Sequence, residues 1–221
     1  MPELRQGGGF PPSLKDFYKY HNGETCLVIC NGPSLNTMPQ DFLKKYPSFG
    51  LNSIVEWREF DPTYYVTCDH RVMRLYRDMI DMHYRDIPKF IPTPNLDEWE
   101  GENIYRWHHR PGEIWEFDKP WNAETLTKPG ITWKCVPHAA MQIAFHMGFT
   151  TILVVGMDHS LDFKRHAWSR DGKMNDRPDP RATWDRWEVL HGVLAEKFAE
   201  HGVELINITP PTSSTIPRRR S

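Results

Sequence analysis

Asn31, Gly32, Pro33 and Ser34 follow directly on the apolar run Thr25 to Cys30, and this is where the sequence first offers chemistry. Gly32 lets the backbone come close to a ligand, and the start of a helix beyond it would turn N–H groups and a partial positive charge toward a phosphate. Ser34 adds a hydroxyl that serves either as a ligand donor or as a helix cap. Other apolar runs also end in polar residues: Asn52 after FGL, Asp69 after YYVTC, Asp158 after TTILVVGM and Asn207 after VELI. If those runs are neighbouring strands of an open sheet, their carboxyl ends share one crevice. Taken singly, each residue is also what a turn or a helix cap would use.

Two carboxylates at such an edge admit Mg²⁺ held by Asp69 and Asp158 against substrate phosphates. Alternatively, Asp158 hydrogen-bonds a ribose or braces the turn at Gly156. Apart from that Mg-dependent case, no metal site is assigned and no tightly bound cofactor is expected. His166 is the candidate base for an acceptor hydroxyl, because an imidazole titrates near neutral pH. His108, His109, His138 and His146 show no spacing that argues for a metal and read as structural or surface residues. Cys26, Cys30, Cys68 and Cys135 lack the paired spacing of a zinc ribbon and read as buried free thiols. Neither GxGxxG nor GxxxxGK[ST] is present to name a nucleotide cofactor.

The elements that must position these residues follow from hydrophobic patterning. Short β-branched runs alternate with amphipathic segments, the pattern of βα units on a mostly parallel sheet. Strands are expected at Thr25 to Cys30, Phe49 to about Asn52, Tyr64 to Cys68, near Lys89, at Thr151 to Val155 and at Val203 to Asn207. Helices are expected at Pro39 to Tyr46, in a segment with apolar positions Val72, Leu75 and Met79, after Pro137 up to Gly148, and from about Arg181 to His201. Residues 95–134 interleave Gly, Pro, Asn and five tryptophans and read as an irregular insertion with room for edge strands. The charged, turn-rich stretch 159–180 reads as a lid and about 209–221 as a tail. The expectation is one Rossmann-like α/β domain over 1–221, its mostly parallel sheet flanked by helices.

The 221-residue chain can bury a substantial core, and its formal charge of −2 gives no electrostatic footprint for nucleic acid. The start of the chain has no secretory pattern, and no apolar stretch is long enough to cross a bilayer, so a cytoplasmic protein is expected.

The segments CLVICNGPSLN, FGLNSIV, PTYYVTCD and MGFTTILVVGMDHS, in that order, resemble two related groups. One is the bacterial lipooligosaccharide sialyltransferases, with NGPSL after a strand, a strand-end Asn and a late strand ending in Gly-Ile-Asp. The other is the family containing the archaeal 6-hydroxymethylpterin diphosphokinase and the motility-associated glycosyltransferases. The resemblance implies nucleotide contacts for Asn31, Gly32 and Asn52, places Ser34 beside the phosphate, and puts a backbone contact near Pro137. The sialyltransferases carry tyrosines just after the late Asp, where this chain has His159 and Ser160.

The expectation is therefore a nucleotide-dependent transferase, glycosyltransferase-like, taking a nucleotide-activated sugar donor and a hydroxyl acceptor. His166 and Asp158 are its candidate catalytic residues, and Asn31, Gly32, Pro33, Ser34, Asn52, Asp69, Pro137 and Gly156 line its nucleotide site. The alternative is a Mg-dependent 6-hydroxymethylpterin diphosphokinase using ATP. Weaker readings are a serine hydrolase, with GPSLN as a degenerate nucleophile elbow, and a non-catalytic nucleotide-binding protein. Oligomeric state is not legible.

Overall fold

β-branched and aromatic residues fill the strand segments, and the side chains of each strand alternate between two buried faces. In the first strand, β1 (Thr25–Ile29), Cys26 and Val28 join one core while Leu27 and Ile29 join the other. This is the signature of a parallel sheet covered on both sides. The computed structural model describes residues 14–92, 99, 102–109, 130–131, 135–158 and 181–209.

The remaining strands are β2 (Ser48–Leu51), β3 (Tyr64–Val66), β4 (Lys89–Pro92), β5 (Ile104–His109), β6 (Gly130–Ile131), β7 (Thr151–Val155) and β8 (Glu204–Asn207). They form one sheet in the order β6-β5-β4-β3-β2-β1-β7-β8. Every pairing is parallel, and β1 meets β7 over its whole length, from Thr25 opposite Thr151 to Ile29 opposite Val155. The α/β, Rossmann-like expectation holds, and the sheet is parallel throughout. None of the described helices is long and apolar enough to cross a membrane.

One face is covered by α3 (Val136–His146), with Ala139, Ala140 and Ile143 in the core it forms with β1, β2 and β3, and by α4 (Arg181–Glu200), which lies against β8 and brings Leu194 and Phe198 into the same core. The other is covered by α2 (His70–His83) together with the 3₁₀ turns Pro33–Thr37 and Asn52–Glu56. Gly148 stops α3 with φ 89°, a left-handed cap that suits glycine.

Three expectations change. The helix expected over Pro39 to Tyr46 is a single turn, α1 (Gln40–Leu43), because Pro39 begins it and Pro47 disfavours helical backbone at Tyr46. In α2 Met73 and Ile80 are buried, two turns apart, Met79 packs partly buried on the same core as expected, and Leu75 points outward at 73% exposure. Within 95–134, β5 is a regular six-residue strand rather than irregular chain, with Ile104, Tyr105 and Trp107 buried. The glycines and prolines around it hid its short apolar alternation.

Candidate functional site

The chain adds β2 through β6 on one side of β1, then crosses to add β7 and β8 on the other. The gap between the carboxyl ends of β1 and β7 is thus the point where strand order reverses, the position at which open α/β sheets bind ligands. Asn31 and Gly32 leave β1 there, and Gly156 to Asp158 leave β7.

The two exits touch. The Gly32 N–H donates to the Gly156 carbonyl at 2.9 Å, continuing the ladder past the strands. Gly32 has φ −69° and ψ 152°, ordinary extended backbone, so the glycine is needed for proximity rather than for an unusual dihedral. A Cβ at Gly32 would overlap the Asp158 carboxylate and lie 2.5 Å from the Gly156 carbonyl oxygen. Gly156 is constrained in both ways: its φ is 69°, and a Cβ there would sit 2.6 Å from the Cys30 carbonyl oxygen.

Asp158 is buried, with its Oδ2 accepting from the Ser34 hydroxyl at 3.0 Å and from the Ser34 backbone N–H at 3.4 Å. Ser34 therefore ties β1's exit to β7's exit and makes no side-chain cap. Pro33 opens the 3₁₀ turn beside it. The expected helix start after NGPSL is this five-residue turn, and the carboxylate of Asp158 already occupies the anion position that the sequence reserved for phosphate. The serine-elbow geometry is likewise altered, since the Ser34 hydroxyl donates to a carboxylate.

Asn31 turns toward β2. Its Nδ2 donates to the Ser53 hydroxyl at 3.3 Å, and its Oδ1 is buried with no hydrogen-bond partner among the described residues. A buried amide oxygen without a donor costs about 1–3 kcal/mol, so this acceptor is an opening for a ligand donor. Asn52 adopts φ 49°, a left-handed conformation that Asn tolerates better than most residues. Its Oδ1 accepts from Thr67 Oγ1 at 3.1 Å and its carbonyl accepts from the Tyr65 hydroxyl at 2.7 Å. Burial pushes the Tyr65 phenol well above its ordinary range, which keeps it a donor. Ser53, Thr67 and Tyr65 hold the two asparagines in place. The sequence reading did not single them out, although Ser53 stands next to Asn52 and Thr67 two residues before Asp69.

Asp69 serves as the N-cap of α2. It accepts from the Arg71 N–H at 2.8 Å and from the Arg71 guanidinium at 3.3 and 3.4 Å. Partial burial favours its neutral form, but the hydrogen bonds and charge of Arg71 outweigh that and hold the carboxyl below its usual value. The strands carrying Asp69 and Asp158 stand three spacings apart, about 14 Å, so one Mg²⁺ shared by both would require their loops to converge. Asn207 braces the far side: its Oδ1 accepts from Thr209 N–H at 3.0 Å, and Thr209 Oγ1 accepts from Met157 N–H at 3.2 Å. Pro137 lies in the first turn of α3, which precedes β7 and so starts at this same edge. His166, His159 and Ser160, with the whole of 159–180, lie outside the described residues.

Asn31, Gly32, Ser34 and Asp158 are thus joined by direct contacts, with Asn52 attached through its neighbour Ser53, whereas Asp69 is engaged in capping. The assembled edge offers an unsatisfied amide acceptor and a carboxylate fixed by a hydroxyl, beside a backbone close-approach point. Such groups recognise the hydroxyl and N–H donors of a nucleoside or a sugar. In comparison with known protein families and with curated proteins, the sequence matches none.

Proposed function

We propose that the chain is a nucleotide-dependent transferase of glycosyltransferase-like type, with its nucleotide-activated sugar donor seated at the β1/β7 reversal point. The observation that carries this reading is the buried Asn31 Oδ1, without a hydrogen-bond partner among the described residues, at that point where Gly32 passes close to Asp158. Asn31 and Asn52 orient the base and ribose, and Asp158, fixed by Ser34, accepts from a hydroxyl of the donor. Because Asp158 fills the anion position at Ser34, the diphosphate lies outward of that turn, toward the first turn of α3 at Pro137. His166 is proposed as the base that deprotonates the acceptor.

The test is a thermal-shift screen of the full chain against nucleotides and nucleotide sugars, with and without Mg²⁺. This reading predicts a metal-independent rise in melting temperature with a nucleotide sugar, absent in Asn31→Ala. An ATP shift that requires Mg²⁺ would replace it with the diphosphokinase reading, and no shift with any nucleotide would remove both.

A further inference from the structure

Helices α3 and α4 run parallel, side by side, as two matched contacts show. Near the end of α3, Phe145 stacks on Phe198 with ring centroids 5.1 Å apart and planes 5° from parallel. Two turns earlier on both helices, His138 meets His191 edge to face at 4.7 Å. Cys135, the N-cap residue of α3, completes a trio: its sulfur and one ring nitrogen of each histidine all lie within 4.8 Å of one another. Both histidines have no exposed surface, and Cys135 is buried.

This is an unusual composition for a helix–helix seam. Ala139, Ala140, Leu194 and Ala195 pack around the trio, and the same helices also bury Gln142 and Glu188. A thiol and two imidazoles whose ligand atoms lie this close offer a cation three donors at once. We propose that Cys135, His138 and His191 form a binding site for a divalent cation of the zinc class.

The donor set selects the metal. A sulfur and two imidazole nitrogens suit Zn²⁺ and disfavour Mg²⁺ or Ca²⁺, which take oxygen. Around tetrahedral zinc, ligand atoms stand roughly 3.4–3.6 Å apart given bond lengths of about 2.0–2.3 Å. The trio therefore needs to close by no more than about 1.4 Å, within reach of side-chain rotation. On binding, the Cys135 thiol forms a sulfur–metal bond and releases its proton to solvent. Three protein ligands leave a fourth position for water or a substrate atom, the arrangement of catalytic rather than structural zinc. Cys135 caps the start of α3 and so stands at the same edge of the sheet as the candidate site. Cys68, buried at the end of the β3 run, stands outside the trio, which makes it the natural control.

The experiment uses the full chain, stripped with a chelator and titrated with Co²⁺ and then Zn²⁺. One equivalent of Co²⁺ is expected to produce a near-ultraviolet sulfur-to-metal charge-transfer band with intense visible absorption, and Zn²⁺ should displace it. Cys135→Ser should abolish the charge-transfer band, Cys68→Ser should keep it, and His191→Gln should weaken affinity at least tenfold. If Cys135→Ser does not fold, the wild-type titration together with Cys68→Ser and His191→Gln decides the matter. Absence of stoichiometric metal on folded wild-type protein, or a band that disappears with Cys68→Ser instead, overturns the proposal. None of these readouts depends on transferase activity.

Discussion

The two edges of this sheet both bury polar side chains, yet they use them differently. At the amino edge the buried polar groups Lys89, Ser48 and His21 each close on partners. The Lys89 ammonium donates to the carbonyls of Arg85, Ile87 and Glu102 at 3.3, 3.1 and 3.0 Å. Ser48 and Thr63 exchange reciprocal backbone-to-hydroxyl bonds, and His21 joins Glu24 to the Tyr64 hydroxyl. At the carboxyl edge the accounting is incomplete among the described residues: Asn31 Oδ1 and Asn207 Nδ2 are buried and lack partners. Burial of a polar group by itself therefore does not mark a site. A buried group with an open valence, at the point where strand order reverses, is what marks one.

Breaking the carboxyl edge at its tightest contact should have the largest effect. Gly32→Val forces side-chain carbons into the Asp158 carboxylate and the Gly156 carbonyl, and overpacking of this kind costs about 1–3 kcal/mol. A fall of several degrees in melting temperature is expected, with complete loss of nucleotide binding. Unchanged binding would show that the two exits can separate freely.

Lys89→Met tests the other edge. The carbonyls of Ile87 and Glu102 would lose this donor while that of Arg85 keeps Asn103 Nδ2, and a loss of about 2 kcal/mol is expected, read as a lower denaturation midpoint with nucleotide affinity unchanged. An equal loss of affinity would mean the edges are not separate in function.

Asn31→Ala should reverse that pattern. It removes one weak hydrogen bond and one unsatisfied acceptor, so stability should move by less than about 1 kcal/mol. Nucleotide affinity should fall at least tenfold, about 1.4 kcal/mol, measured by calorimetry.

The smallest effect concerns Asp69 and sharpens its assignment as a cap. Its carboxyl is held below the ordinary value in the folded protein, so its contribution to stability is fully present above the unfolded value of about 3.9 and is lost as pH falls through the folded value. Asp69→Asn should flatten that acid limb in denaturation curves without changing nucleotide binding.

What the sequence made legible follows physical range. β1 and β7 are nearly continuous apolar runs closed by polar or glycine stops, and β8 is a short run broken only by Glu204, so local pattern suffices to see them. β5 alternates over only six residues between glycines and prolines, and α1 depends on two prolines outweighing a helix-forming stretch. The convergence of Asn31, Gly32 and Asp158 followed from the strand-end rule, because parallel strands bring their exits to one edge. That Ser34 would bond Asp158 rather than cap a helix depends on β1 lying beside β7, a pairing across most of the chain. The trio of Cys135, His138 and His191 was hidden for the same reason. Cys135 and His138 stand three residues apart, too little by itself to argue for a metal, and their third member comes from a helix whose alignment only packing reveals.

The central claim is that the carboxyl edge between β1 and β7 receives the nucleotide. Hydrogen–deuterium exchange on the full chain, with and without a saturating nucleotide sugar, tests it most directly. The account predicts slowed exchange at residues 30–35, 52–56 and 156–158, with the amino edge around Lys89 and His21 unchanged. Protection at the amino edge alone, or none at Gly32 and Asp158 while nucleotide is bound, would contradict it.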